Sequence, residues 1–183
     1  ALLLTVSTQA QKRISYNYNN VSIADALNQL AEQQTDYTIM FIYNELEDFR
    51  ITTTINRKTL PEAIQQMIGF YPISMIVDNS NPEGKKIFVE CTHKTDRHLT
   101  GTIIDEQGQP IAFANIAVLN PVDSTLLSGG VSNESGYFAI PIEQNKVIAR
   151  ISYIGYKTVY QYCNKSDMGK IRLQLDNYTL KGV

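Results

Sequence analysis

The chain has 183 residues, of which 43% are hydrophobic and 19% are charged. Its 16 Lys and Arg residues are outnumbered by 18 Asp and Glu residues, so the basic surface needed to bind nucleic acid is not expected. The length fits one large domain or two domains of about 80 to 90 residues each. The 11 Tyr residues, with many Ile, Val and Thr residues, favour β structure.

The N-terminal segment begins with an apolar run at residues 2–6, which is too short for a membrane-spanning helix of about 20 residues. Small residues follow, up to Ala10. We interpret residues 1–10 as the remnant of a secretory signal peptide with cleavage after Ala10, and an ordinary N-terminal strand is the alternative.

Two segments of the first half have the same helix signature. Ser22 caps the first predicted helix and Asp25 completes a capping box, while Thr59 and Glu62 do the same for the second. Pro61 lies in the first turn of the second helix, where a missing N–H costs nothing. The predicted apolar faces are Ile23, Ala26, Leu27, Leu30 and Ala31 in the first helix, and Leu60, Ala63, Ile64, Met67 and Ile68 in the second.

The two helix segments are copies of one unit at an offset of 37 residues, which relates Ser22 to Thr59 and Ala26 to Ala63. A strand of period two precedes each helix, at residues 14–18 and 51–55, and a hairpin from 73–78 to 86–90 closes the pattern. The first half is therefore predicted to be a duplicated βαβ unit.

This aligned repeat, over roughly residues 13–91, resembles the short N-terminal (STN) domain shared by secretins and TonB-dependent receptors. The residues that carry the resemblance are Ile23, Ala26, Leu27 and Leu30 in the first helix and Leu60, Ala63, Ile64 and Met67 in the second. It implies an STN-like domain over residues 11–92, followed by a polar linker over residues 93–98.

From Leu99 onward, short β-rich runs alternate with Gly and Pro, which indicates a β-sandwich. Three motifs, at 101–118, 132–142 and 151–158, resemble the carboxypeptidase-regulatory-like domain, a transthyretin/Ig-like all-β sandwich, here over residues 99–176. Ser132-Asn133 replaces the family's usual Thr-Asp, and Asn also suits a turn. In the third motif, Gly155 is predicted to permit a bend between adjacent strands. The whole chain is thus predicted to be α+β.

No catalytic motif is found in the sequence, so an enzyme is not expected. Cys91, His93 and His98 are potential metal ligands, but we place them in and beside the solvated linker, and neither a metal nor another cofactor is expected. Cys91 and Cys163 are predicted to be free or buried thiols, with a disulfide between them as the alternative.

The order of the two domains resembles the N-terminal periplasmic region of a SusC-like TonB-dependent outer-membrane receptor, which imports glycans or other nutrients. The resemblance implies an exported protein on the periplasmic side of the outer membrane, with a plug and barrel after Val183, so the chain is expected to be a fragment. Residues 177–183 resemble the start of a TonB-box segment, whose matching residues are Thr179, Leu180, Lys181, Gly182 and Val183.

The implied function is signalling, in which the STN domain contacts the periplasmic domain of an anti-sigma regulator; TonB and the downstream plug and barrel are further partners. A partner strand that adds to an exposed sheet edge is the physical mode we expect. The candidate edge residues are Tyr16, Asn17, Tyr18, Arg50, Thr52 and Thr54. The alternative function is an exported adhesin or carbohydrate-binding protein, with an aromatic platform formed by Tyr153, Tyr156, Tyr160 and Tyr162.

Overall fold

The structure is a computed structural model, and it describes residues 12–33, 36–81, 84–93, 95 and 97–176. The predicted signal-peptide remnant at 1–10 and the predicted TonB-box segment at 177–183 lie outside the described residues. Within these ranges no helix has the length and apolarity needed to cross a membrane.

Strands and helices alternate in the first half, and they form two sheets. In chain order the elements are β1 (Ile14–Ser22), α1 (Ile23–Gln33), β2 (Tyr37–Met40), α2 (Tyr43–Leu46), β3 (Arg50–Lys58), α3 (Leu60–Ile68), β4 (Ile73–Asp78) and β5 (Lys85–Cys91). β1 and β3 pair antiparallel in one sheet. The second sheet has the order β2-β5-β4, in which β2 is parallel and β4 antiparallel to β5.

The sheet assignment corrects the prediction of a duplicated βαβ unit. In such a unit the two strands lie parallel in one sheet, whereas here the first strands of the repeats, β1 and β3, form one sheet, and the second strands, β2 and β4, both flank β5 in the other. Each helix contacts strands of both sheets, α1 through β1 and β2 and α3 through β3 and β4. The wide apolar faces of the helices are therefore shared between two sheets.

The predicted apolar faces of α1 and α3 are confirmed at nine of their ten residues, which are buried, while Ala31 is half-buried. Both predicted N-cap residues cap their helices, and the reciprocal capping box is present at α3, whereas the Asp25 carboxylate of α1 accepts from the Tyr43 hydroxyl at 2.7 Å. The Ser22 hydroxyl accepts from the Asp25 N–H at 3.0 Å, and at α3 the Glu62 carboxylate accepts from the Thr59 N–H at 2.9 Å. The Thr59 hydroxyl in turn accepts from the Glu62 N–H at 3.5 Å, which completes the capping box.

We expect Thr59→Ala to lower the free energy of unfolding by about 1 kcal/mol, because the hydroxyl that caps α3 is lost. Thr59→Ser keeps the hydroxyl and is expected to change it by less than about half of that. Urea unfolding monitored by circular dichroism measures both variants. Equal losses in the two variants would contradict a capping role.

The second half is a sandwich of two sheets. Its strands are β6 (His98–Ile104), β7 (Asn115–Leu119), β8 (Leu126–Val131), β9 (Tyr137–Pro141), β10 (Val147–Ser152), β11 (Val159–Cys163) and β12 (Asp167–Arg172). One sheet has the order β11-β10-β7-β8 and the other β12-β6-β9. Apolar side chains from both sheets form one core, which includes Leu99, Val118, Phe138 and Ile151. The predicted β-sandwich is confirmed.

Gly155 lies between β10 and β11 with φ of 81°. A residue with a side chain rarely adopts this left-handed conformation, so the glycine permits the turn that returns the chain along β10. The predicted bend at Gly155 is confirmed.

Candidate partner-binding surface

The two-stranded sheet of β1 and β3, which we call the β1–β3 sheet, brings together the six predicted edge residues, which lie in two separate segments of the sequence. Asn17 is opposite Thr54, Tyr18 is opposite Thr53, and Arg50 is opposite Ser22. Asn17, Arg50, Thr52 and Thr54 lie on one face of this sheet, whereas Tyr16 and Tyr18 flank Asn17 in the strand and pack against the core on the other face.

Polar side chains of the β1–β3 sheet bond across the strand pair, either to another side chain or to the main chain of Asn20. The Thr54 hydroxyl donates to the Asn17 amide oxygen at 3.1 Å. The Thr52 hydroxyl accepts from the Asn20 N–H at 3.0 Å, and the Arg50 guanidinium donates to the Asn20 carbonyl at 2.9 Å. These bonds hold the two strands in register and leave Asn17, Thr54 and Arg50 exposed.

Tyr18 corrects the predicted set, since its side chain is 2% exposed and belongs to the core of the first half. Its ring stacks on that of Tyr16 with centroids 5.6 Å apart. Burial and the neighbouring Tyr16 raise the pKa of Tyr18 to about 12, so the phenol is neutral. The Tyr18 side chain packs into the core beneath β1 and is not accessible to a partner.

Side chains from outside the β1–β3 sheet bond to the main chain of β3. The Gln66 amide donates to the Thr54 carbonyl at 3.2 Å. The Arg50 carbonyl accepts from the Tyr71 hydroxyl at 2.6 Å and from the Asn133 amide at 2.9 Å. Sequence reasoning missed these three contacts, because they join residues that are distant in the chain.

Asn133 connects the two halves of the chain. Its amide oxygen accepts from the N–H groups of Ser135 and Tyr137, both at 3.0 Å, and so shapes the turn before β9. Its amide nitrogen donates across to Arg50 and, at 3.3 Å, to the Tyr71 hydroxyl. An Asp at this position would make the turn but has no N–H to donate. The departure from the family's Thr-Asp pattern was the sequence signal for this contact.

A second group of contacts between the halves surrounds Asp48 and Phe49. The Tyr137 hydroxyl donates to the Asp48 carbonyl at 2.6 Å. The Asp48 carboxylate lies 3.0 Å from Nδ1 of His98. The Phe49 ring is fully buried, with its centroid 4.6 Å from the His98 ring and 5.0 Å from the Tyr71 ring. The halves are therefore joined by buried rings as well as by hydrogen bonds.

His98 and Cys91 correct the interpretation of this region as a solvated segment. His98 begins β6 and is 2% exposed, and Cys91 ends β5 and is 1% exposed. Both are buried because the first residue of the sandwich packs directly against the first half. Among the described residues no group of three or more His, Cys, Asp or Glu side chains is arranged to hold a metal ion. Cys91 and Cys163 are both free, as predicted.

Burial alone would lower the pKa of His98, because it disfavours the charged imidazolium. The hydrogen bond to Asp48, with a contribution from Cys91, outweighs burial and raises the pKa of His98 to about 9. Protonated His98 and the Asp48 carboxylate thus form an ion pair across the two halves.

We expect the free energy of unfolding to fall as the pH rises from about 6.5 to about 9. The folded pKa of His98 exceeds its unfolded value, so the stabilisation is complete below about pH 6.5 and is lost as the pH passes about 9. The Asp48 side chain is 44% exposed and screened by solvent, so we expect a loss of about 1 kcal/mol. Urea unfolding across this range measures it, and Asp48→Asn is expected to flatten the profile; an unchanged profile would contradict the ion pair.

A cleft of about 160 Å³ lies between the halves beside β3. The rings of Phe70 and Phe113 meet edge to face at its rim, with centroids 5.6 Å apart. The two rings are 75% and 46% exposed. They add an apolar contact between the halves.

The four tyrosines of the alternative glycan-binding function divide into two pairs. Tyr153 and Tyr156 pack against the sandwich core and lie 5.8 Å apart. Tyr160 and Tyr162 lie on β11 and are 64% and 56% exposed. The structure therefore does not assemble one platform from all four rings.

Comparison with known proteins gives a family for the second half. Residues 99–182 match the model of the CarboxypepD_reg-like domain, so the C-terminal half of the chain carries this domain, as the motifs indicated. No curated protein sequence matches the chain.

Solved structures similar to the chain have low sequence identity. A 9R-lipoxygenase from Cyanothece PCC8801 is 14% identical, with 47% of this chain and 18% of that chain covered and a TM-score of 0.33. A 3-chlorocatechol 1,2-dioxygenase from Rhodococcus opacus 1CP is 14% identical, with 42% and 58% covered and a TM-score of 0.29. The shaft pilin SpaA from Lactobacillus rhamnosus GG is 10% identical, with 91% and 88% covered and a TM-score of 0.33. The chain thus spans less than two thirds of the first two, and these TM-scores carry no argument about function.

Proposed function

We propose that this chain is the periplasmic signalling and accessory region of a TonB-dependent, SusC-like outer-membrane receptor for a nutrient, with a glycan as the expected cargo. In this proposal the first half is an STN domain that binds the periplasmic domain of an anti-sigma regulator. The role is binding rather than catalysis. The CarboxypepD_reg-like domain at residues 99–182, and the resemblance of residues 13–91 to STN domains, support it.

The observation that carries the proposal is the pairing of the β1–β3 sheet. Within the part of the chain that the structure describes, β1 and β3 hydrogen-bond in a sheet with each other and with no third strand. A two-stranded sheet leaves one main-chain edge of each strand for a further strand to join. Addition of a partner strand to such an edge is a common mode of peptide recognition.

The proposal places the chain on the periplasmic side of the outer membrane. Residues 177–183 are proposed to lead into the plug and barrel of the same receptor, with TonB as the partner of the segment from Thr179 to Val183. Loading of the barrel with its nutrient would then be reported to the regulator through the first half.

Isothermal titration calorimetry of the whole chain with the periplasmic domain of an anti-sigma regulator tests the proposal. We expect a Kd in the range of about 1 to 10 μM. Tyr160→Ala, on the far edge of the sandwich, is a matched control that is expected to bind like the unchanged chain. Absence of heat at concentrations of about 100 μM would contradict the proposal.

The alternative function, glycan binding by an exported adhesin, is supported by the exposed rings of Tyr160 and Tyr162. They are two residues apart on β11 and so project from the same side of the strand. A glycan array with the whole chain, compared with the Tyr160→Ala variant, tests this function. Retention of equal signals by the variant would contradict a role for these rings.

A further inference from the structure

We infer that the partner strand pairs with the outer edge of β1 at Asn17, not with β3, and that this strand is acidic. The inference rests on the proposed function, since it names the edge and the chemistry of the same contact. Two independent observations carry it: the hydrogen bonds that cover β3 and the charge of the β1–β3 sheet.

The main-chain N–H and C=O groups of successive residues in β3 point alternately toward β1 and toward the outer edge. The carbonyls of Arg50 and Thr54 accept hydrogen bonds from Tyr71, Asn133 and Gln66, which lie outside the sheet. Arg50 and Thr54 are four positions apart, so their main-chain N–H and C=O groups point to the same side of the strand. Those of Thr52, halfway between them, point to that side as well. The carbonyl of Phe49, at the odd position directly before β3, instead accepts from the N–H of Ile23, which directly follows β1, at 2.7 Å. Even positions from Arg50 to Thr54 therefore face outward.

The outer edge of β3 is thus covered by side chains. Gln66 covers it at Thr54, while Tyr71 and Asn133 cover it at Arg50. Asn133 belongs to the second half, so a strand that added to β3 would have to break a contact between the halves. Side chains that occupy an edge in this way prevent the addition of another strand.

The register of the strand pair also determines which main-chain groups of β1 face outward. Residues directly opposite each other in an antiparallel pair both face inward or both face outward. Asn17 is opposite the outward-facing Thr54, so the N–H and carbonyl of Asn17 face the outer edge of β1. The bond of 3.1 Å between the side chains of Asn17 and Thr54 agrees with this, since outward pairs bring side chains closer. Among the described residues none bonds to the main chain of Asn17 from outside.

The charge of the β1–β3 sheet indicates the chemistry of the strand that joins it. The two strands contain three cationic residues and no Asp or Glu, although the whole chain has a net charge of −2. Two further cations directly precede β1. The cationic residues are Lys12, Arg13, Arg50, Arg57 and Lys58.

Three of these cations donate hydrogen bonds to main-chain carbonyls. Lys12 donates to the Gln33 carbonyl, Arg13 to the Arg57 carbonyl and Arg50 to the Asn20 carbonyl. The carboxylates of Asp25 and Glu62 are engaged at helix N-termini, where Asp25 also interacts electrostatically with Arg50, and Glu62 with Arg13 and Lys58. Glu134 lines the cleft beside Thr52 and Thr53. A strand with carboxylates meets complementary charge here, and residues 1–11 of this chain contain none.

Nuclear magnetic resonance titration of the whole chain tests the inference. The probe is a synthetic peptide of about ten residues that alternates Glu and Val, and the control is the corresponding Lys and Val peptide. We expect the acidic peptide to shift the amide of Asn17 and to slow its hydrogen exchange, with little effect on the amide of Thr52. We expect a Kd of about 0.1 to 1 mM that weakens several-fold between about 50 and 300 mM salt.

Two matched proline variants separate the edges. Asn17→Pro removes an outward N–H of β1 and the side-chain bond from Thr54, but no main-chain bond between β1 and β3. We expect it to weaken binding at least about tenfold. Thr52→Pro makes the matched change on the outer edge of β3, where it also removes the hydroxyl that accepts from the Asn20 N–H. We expect binding within about twofold of the unchanged chain. Asn17→Val keeps the N–H and is expected to bind, which distinguishes the main-chain contact from the side chain. Amide spectra report whether each variant is folded.

Some results would overturn the inference: no binding of the acidic peptide at about 1 mM, shifts centred on Thr52, or equal binding of the Lys peptide. Dimerisation of the free chain through β1, seen by sedimentation, would overturn it in favour of a second copy as the occupant. Failure of the proposed function has a different signature, since the acidic peptide would still map to Asn17 while the anti-sigma domain gave no heat.

Discussion

Replacement of Gly136 by alanine is expected to lower the free energy of unfolding by about 4 kcal/mol and to prevent the sandwich from forming at moderate temperature. Gly136 has φ of 74°, a conformation that costs a residue with a Cβ about 1–2 kcal/mol. A Cβ at this position would also overlap the carbonyl oxygen of Ile103, and it would lie 3.2 Å from the Pro110 side chain. The carbonyl cannot move freely, because it also accepts from the Ile111 N–H at 2.9 Å.

Gly155→Ala is the matched control for this effect. Gly155 has a similar φ of 81°, but a Cβ there would have no atom within 4 Å. We therefore expect this variant to lose about 1–2 kcal/mol from the backbone conformation alone. Thermal and urea unfolding of both variants measure the difference, and equal losses would show that the close approach to Ile103 does not determine the stability of this turn.

Asn133→Ala is expected to lower the free energy of unfolding by about 3 kcal/mol, because the turn before β9 and the bonds to the first half are lost together. Asn133→Asp keeps the acceptor for the turn but removes both donors and places a carboxylate beside the Arg50 carbonyl. We expect it to cost about 2 kcal/mol and to weaken the contact between the halves specifically. Urea unfolding followed by probes in each half is the measurement, with one shared transition expected to separate into two in the Asp variant.

Asn120→Asp controls for the change of charge. The Asn120 amide oxygen accepts from the Val122 N–H at 2.9 Å, and this turn lies between β7 and β8. Because an Asp makes the same bond there, we expect a change of less than about 0.5 kcal/mol. If Asn133→Asp were as mild as this control, the amide nitrogen of Asn133 would not be the group that joins the halves.

Local interactions explain why much of this fold was predictable. The caps at Ser22 and Thr59 and the apolar spacing of α1 and α3 depend on residues within one or two turns. The turn at Gly155 likewise depends on the backbone freedom of a single residue. The order of the longer helices and their flanking strands could therefore be predicted, and so could the division of the chain into a half with helices and a sandwich.

Pairing between distant segments explains what was not predictable. Both sheets of the first half join strands of different repeats. The short helix α2, which lies between β2 and β3, has no counterpart in the second repeat and was not predicted. His98 resembled a solvated residue because its neighbours in sequence are polar, yet the first half buries it beside Phe49. Tyr18 resembled an edge residue because its strand is polar, yet it faces the core.

The sequence by itself determined the local elements, the family of the second half and the cationic, carboxylate-free composition of β1 and β3. These features follow from residue types at short spacing. Only the tertiary structure decided which edge of the β1–β3 sheet remains open. That decision depends on Gln66, Tyr71 and Asn133 reaching the main chain of β3, and hydrogen bonds between residues so far apart in the chain leave no periodic pattern in the sequence.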